Sequence, residues 1–110
     1  MMIETIEESW GLNETIFKTD EYCVRRITLK PGMELPYRYN TTMDICWTIA
    51  HGDGVIIQDS SELNLSYGTW WIIPHGSSYM CKSGPNGLVI LQTETGNFSD
   101  NQVIGTSLFI

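Results

Sequence analysis

Hydrophobic and polar positions alternate along several stretches of this chain with the period of two expected of half-buried strands. From Tyr22 to Lys30, Cys23, Ile27 and Leu29 share one face with Arg25, while Tyr22, Val24, Arg26 and Thr28 share the other. From Met43 to Ala50, Ile45, Trp47 and Ile49 form one row, and Asp44, Cys46, Thr48 and Ala50 form the opposite row. Trp70 to Ile73 is apolar on both faces, the pattern of a strand with core on one side and another layer or subunit on the other. Turn signals separate these runs at Asn13, Pro31-Gly32, Gly52-Asp53-Gly54, Ser60-Ser61, Gly68, Pro74-His75-Gly76, Gly84-Pro85-Asn86-Gly87 and Gly96. Short β-rich runs bounded by such turns predict a sandwich or barrel. The acidic opening, Ile3 to Ser9, is the only helical candidate. The tail from Val103 to Ile110 is uncharged and ends Leu108-Phe109-Ile110. A free apolar edge invites aggregation, so this tail is read as docked on the domain or on a partner subunit.

Length and composition narrow the function classes. With 110 residues, the chain is expected to form a single domain over 1–110, and 42% hydrophobic residues suffice for a compact core. Six basic residues against thirteen acidic ones give a net charge of -7, which argues against a nucleic-acid or anionic-membrane partner. The longest charge-free stretch, Leu63 to Cys81, holds Asn64, Gly68, Pro74, His75 and Gly76 and does not read as a membrane span. Three cysteines cannot all pair within one chain. With no C-x-x-C spacing and no signal peptide, reduced thiols in a cytoplasm are the expectation. The sequons at Asn13, Asn40, Asn64 and Asn97 are read as chance matches.

The spacing of glycines and prolines is more specific. Gly32 is followed by Arg38, Asn40, Ile45 and Gly52; after fifteen intervening residues, Gly68 opens a second series through Pro74, Gly76, Tyr79 and Ser83. This frame resembles the two motifs of the cupin superfamily, G-x5-H-x-H-x3,4-E-x6-G and G-x5-P-x-G-x2-H-x3-N. More narrowly, Trp10-Gly11, the run Arg25-Arg26-Ile27-Thr28-Leu29-Lys30-Pro31-Gly32, Tyr39, Trp47, Gly52 and Glu94-Thr95-Gly96 resemble the cupin domain of type II mannose-6-phosphate isomerases. The likeness runs from about Trp10 to Val103. It implies an all-β fold, a small antiparallel jelly-roll β-barrel of the RmlC-like kind, and a homodimer formed through sheet faces or exchanged N-terminal strands.

The resemblance also places four metal ligands, and this chain carries Arg38, Asn40, Ile45 and Tyr79 at those positions. Transition metals need imidazole, thiolate or carboxylate lone pairs. Isoleucine offers none and arginine brings a repelling charge. No metal or other cofactor is expected, nor is metal-assisted aldose–ketose isomerisation. Strand parity in the same frame turns Arg38, Asn40, Ile45, Trp47 and Tyr79 inward.

Three functional readings remain open. In the first, Arg38, Asn40, Trp47 and Tyr79 hold a small anionic or sugar-like ligand, because guanidinium forks suit phosphate and carboxylate and aromatic rings stack on sugars. In the second, the chain is a metal-independent sugar isomerase or epimerase with Tyr79 as its catalytic group. In the third, Arg38 pairs with an internal carboxylate, Trp47 fills the barrel, and the domain is a non-catalytic interaction module. His51 and His75 are read as exposed turn residues, and Asp44 has the wrong parity to point inward. Cys23, Cys46 and Cys81 are read as small hydrophobes, with Cys46 outward and Cys81 inward. Arg25-Arg26 is read as one residue facing out and one paired.

Overall fold

A computed structural model describes residues 4–39 and 43–96 of the chain. Eight antiparallel strands follow one another: β1 (Glu4–Glu8), β2 (Gly11–Lys18), β3 (Tyr22–Leu29), β4 (Glu34–Tyr39), β5 (Asp44–Gln58), β6 (Ser61–Ser66), β7 (Trp70–Ile73) and β8 (Ser78–Thr95). The opening is strand, not helix. A five-residue segment is too short to sustain a helix alone. It instead pairs along its whole length with β2, from Glu4 opposite Thr15 to Glu8 opposite Gly11. No helix of the described residues is long and apolar enough to cross a membrane.

The two long strands organise the fold. β5 and β8 pair with each other along most of their lengths, with irregularities between Ile49 and His51 and between Gly52 and Gly54. Irregularities of this kind bend a strand and let it serve two sheets. Beyond the bend, the first half of β5 and the second half of β8 carry β7 and β3, and β2 and β1 follow β3. The other halves carry β6 and β4. The hydrogen-bonded path runs β1-β2-β3-β8-β5-β6, with β4 on β8 and β7 on β5. The result is an antiparallel jelly roll whose ladder folds over on itself without closing into a continuous ring.

Glycine permits the tight bend. Gly52 has φ of +83°, and a Cβ there would lie 2.0 Å from the carbonyl oxygen of Gly87 on the facing chain. Only a residue without a side chain allows that approach.

The alternation anticipated from the sequence sets the core. Cys23, Ile27 and Leu29 of β3 and Ile45, Trp47 and Ile49 of β5 are buried, together with Ile73, Leu88 and Ile90. On β7, Trp71 packs against the core and Ile73 lies within it, whereas Trp70 and Ile72 face outward and are exposed. Cys23 and Cys81 are buried and Cys46 is half-buried, as parity requires. His75 sits in an exposed turn; His51 is also exposed but belongs to β5, at the irregularity that starts the bend. The docked tail expected over Val103–Ile110 lies outside the described residues.

Candidate functional site

The inner face of the jelly roll is where the frame places its site, and the described residues there form a polar core. β4 and β8 bring Arg38 opposite Tyr79, and both are buried. Trp47 on β5 is fully buried and meets Tyr79 edge to face, with ring centroids 5.6 Å apart. Ile45 is buried in the apolar cluster beside Trp47. Three of the four positions where the resemblance puts metal ligands are therefore inward-facing. The fourth, Asn40, lies outside the described residues.

The donor set does not fit a divalent cation. Isoleucine, arginine and a neutral phenol offer no imidazole, thiolate or carboxylate. Among the described residues no three His, Cys, Asp or Glu side chains converge.

Behind Trp47 runs a chain of buried polar contacts. The Trp47 indole N–H donates to Oε1 of Gln92 at 2.7 Å. The Gln92 amide donates to Oε2 of Glu94. The same oxygen accepts from Nε of Arg25 at 2.8 Å, and Arg25 Nη1 donates to Thr15 Oγ1 at 2.8 Å. Glu94 is fully buried, and its Oε1 has no hydrogen-bond partner among the described residues. The buried Arg–Glu ion pair of the interior is thus made by Arg25. Arg26 is also paired, on the outer face, with its fork on both oxygens of Glu14 at 2.8 and 3.0 Å. Parity explains the split, since neighbouring residues in a strand face opposite sides.

Trp10, Asn13, Ile27, Leu35, Arg38, Tyr79 and Gln92 line a cleft at this core that has no room for a water molecule. Burial pulls the Arg38 guanidinium below its ordinary value, partly offset by Tyr79 and Glu8 nearby. Even so, an arginine keeps its charge. Burial also pushes the Tyr79 phenol well above its usual value, against the pull of Arg38. Tyr79 is consequently a neutral hydroxyl at physiological pH, a hydrogen-bond donor with no phenolate character. The two described histidines that could serve as its partner base, His51 and His75, are both exposed and away from the cleft. Asp44 faces out, as expected, and accepts from the His75 ring at 2.9 Å. Burial lifts the Cys81 thiol to about 12, which removes it as a nucleophile or ligand. Ser83, at the frame position of asparagine, ties the Lys30–Met33 turn by donating to the Lys30 carbonyl at 2.5 Å.

Sequence reading missed several members of this core: Trp10, Asn13, Gln92 and Glu94. The signal was present in β8, where Leu88, Ile90, Gln92 and Glu94 share the inward parity and two polar residues continue an apolar row. Asn13 is buried on β2, so the first sequon is inaccessible in the folded chain, while Asn64 is exposed on β6.

No family model matches the chain, and no curated protein matches it by sequence. Solved structures match its fold. The Schizosaccharomyces pombe Cnp3 cupin domain superposes with a TM-score of 0.78 at 15% identity, covering 91% of this chain and 73% of that one. KdgF from Halomonas sp. superposes at 0.80 and 11% identity, covering 89% and 92%. An RmlC-like cupin from Shewanella frigidimarina superposes at 0.76 and 15% identity, covering 88% and 86%. The chain has the cupin fold.

Proposed function

We propose that this cupin is a metal-free, degenerate relative of the type II mannose-6-phosphate isomerase domains, with its interior filled by its own side chains, and that it works by binding through its surface. The observation that carries this reading is the seat of Trp47. It is fully buried, anchored to Gln92 and packed on Tyr79, in a core whose remaining cleft cannot take a water molecule. A sugar phosphate needs a pocket of several hundred cubic ångströms. The residues at the ligand positions supply no imidazole, thiolate or carboxylate, the groups the family's metal-assisted proton transfer relies on. Tyr79, held neutral in a cleft that no histidine lines, does not make the acid–base pair an epimerase needs.

One observation favours a second reading, a small anionic or sugar-like ligand. Arg38, Asn13, Gln92 and Tyr79 converge on the cleft beside the Trp10 ring, a set of donors suited to a carboxylate or phosphate. Such a ligand would have to open the cleft to enter.

A thermal-shift panel in EDTA separates the two, using glucose 6-phosphate, mannose 6-phosphate, UDP-glucose and small carboxylates. The filled interior is expected to give no shift with any of them. A ligand at 100 times its dissociation constant stabilises by about 2.7 kcal/mol, several degrees in a domain this size. A shift of that size, lost in Arg38→Gln with the fold intact, would replace the first reading by the second.

A further inference from the structure

β8 takes one edge of β5 along most of its length, so β7 and β6 share the other edge, on either side of the bend. Among the described residues, β1, β4, β6 and β7 each have a neighbouring strand on one side only. An open edge templates a further strand unless it is blunted. Three of the four are blunted. β1 carries Glu4, Glu7 and Glu8 in five residues. β4 holds Pro36 inside a register shift. β7 is four residues long and runs into Pro74. Its outward Trp70 and Ile72 share a sheet face with Tyr22 of β3 and Phe17 of β2, which offers apolar surface but no backbone ladder.

β6 has none of these devices. Ser61–Ser66 pairs with β5 over six residues without a register shift and contains no proline and one charge, Glu62. Its hairpin turns through Asp59 and Ser60, both at positive φ (47° and 74°), the form of a two-residue turn. Such a turn makes Gln58–Ser61 a hydrogen-bonded pair. Alternation then directs the backbone N–H and C=O groups of Glu62, Asn64 and Ser66 away from β5. Those of Ser66 are taken by Thr69 in the following turn. Those of Glu62 and Asn64 face the open edge.

We infer that β6 docks an extended, basic segment of a partner protein as an added strand. In such docking the main chain supplies affinity and alternate side chains supply specificity. On the inward side of β6, Leu63 packs against the core yet is only half-buried. So is Trp71 of β7, whose indole N–H donates to Gln58 at the base of the hairpin. Apolar side chains of the added strand extend that row. On the outward side, Glu62 borders a groove of about 220 Å³ with Ile57, Met80 and Lys82, and Asn64 borders one of about 540 Å³ with Asp53 and Ser66.

Charge selects a basic occupant. From Asp44 to Ser66 the chain carries four carboxylates, on Asp44, Asp53, Asp59 and Glu62, and no lysine or arginine. Lys82 on β8 stands opposite Glu34 across the ladder. The net charge of -7 steers a cationic segment toward this edge. A second copy of the chain would instead bring its own Glu62 to the same edge, and like charges across a ladder destabilise it. The partner segment therefore alternates basic and apolar residues. Its docking presupposes that the domain works through its surface, as proposed for the filled interior.

Fluorescence anisotropy with a labelled octapeptide of alternating lysine and valine tests this on the full chain. Saturable binding is expected, weakened about tenfold in Glu62→Lys and in Asn64→Pro. The proline removes an N–H that the β5 ladder does not use. Asp20→Lys makes the same charge change at an exposed residue between β2 and β3 and should bind as wild type. The glutamate–valine octapeptide should bind at least about tenfold more weakly than the lysine–valine one. Circular dichroism checks that the variants fold. Should Asn64→Pro fail to fold, amide hydrogen exchange on the wild type replaces it, with the Glu62 and Asn64 amides expected to slow at saturation. Equal losses in Glu62→Lys and Asp20→Lys would overturn the inference, as would unchanged exchange at Glu62 and Asn64. Absence of saturable binding up to about 1 mM, with no thermal shift from sugar phosphates, overturns it and leaves the filled interior standing. Absence of binding with a sugar-phosphate shift lost in Arg38→Gln overturns both.

Discussion

Removing the Glu94 carboxylate tests the account of the filled interior most directly. The Arg25–Glu94 pair is buried on both sides, with side-chain exposures of 8% and 0%. Glu94→Leu leaves the Arg25 guanidinium in the core with Thr15 but no counter-charge, and arginine cannot shed its proton to escape. Breaking a buried pair from one side costs about 3–5 kcal/mol. Against a total stability of about 5–15 kcal/mol, this is a large fraction. At about 4 °C per kcal/mol the melting midpoint should fall by roughly 12–20 °C. The double variant Arg25→Met/Glu94→Leu is expected to recover most of that loss, because apolar replacements of similar volume are neutral or stabilising. Urea denaturation of the wild type, both single variants and the double variant closes the thermodynamic cycle. Arg26→Met, which breaks the outer pair, should leave the midpoint nearly unmoved. A cost below about 1 kcal/mol for Glu94→Leu, the range of exposed pairs, would refute the reasoning, as would additive single variants.

Three further outcomes are expected. Gly52→Ala drives a Cβ toward the Gly87 carbonyl and requires a positive φ, so it should cost about 2 kcal/mol or more; Gly68→Ala meets nothing within 4 Å and should cost only about 1 kcal/mol for its φ of +87°. Paired thermal melts check this, and equal losses would count against the close approach at the bend. Asp44 is held below its ordinary value of 3.8 by the His75 ring and backbone N–H, so this contribution is present above pH 4 and lost as pH falls through the lowered folded value. Asp44→Asn should therefore be less stable than wild type by under about 1 kcal/mol at pH 6 and equal to it near pH 2, since both partners are largely exposed. Cys23 and Cys81, buried and with thiols raised by burial, should resist Ellman's reagent until the chain unfolds; rapid reaction of three thiols in native buffer would contradict the packed interior.

Much of the fold was legible in the residues themselves. Period-two alternation in β3 and β5 marked the buried rows, and the glycine–proline spacing marked the turns, because both follow from local geometry that a strand or turn imposes wherever it occurs. The same parity correctly turned Arg38, Trp47 and Tyr79 inward and Asp44 and Cys46 outward. The opening strand was not legible. Glu4–Glu8 has no strong strand preference of its own and extends only because β2 offers a ladder. Nor was the choice among the three readings of the interior. Whether Arg38 faces a pocket or a filled core depends on side chains of β2 and β8 that converge from distant parts of the chain, through Asn13 and Gln92.

The sequence by itself determined the strand pattern and the inward and outward faces, since each depends on residue type and spacing alone. Only the tertiary structure decided that Arg25 takes the buried carboxylate, that Trp47 is bound to Gln92 in the core, and that the outward aromatics of β7, β3 and β2 gather on one face. Pairing, volume and shared surface are properties of segments brought together in space, and no single stretch of chain carries them.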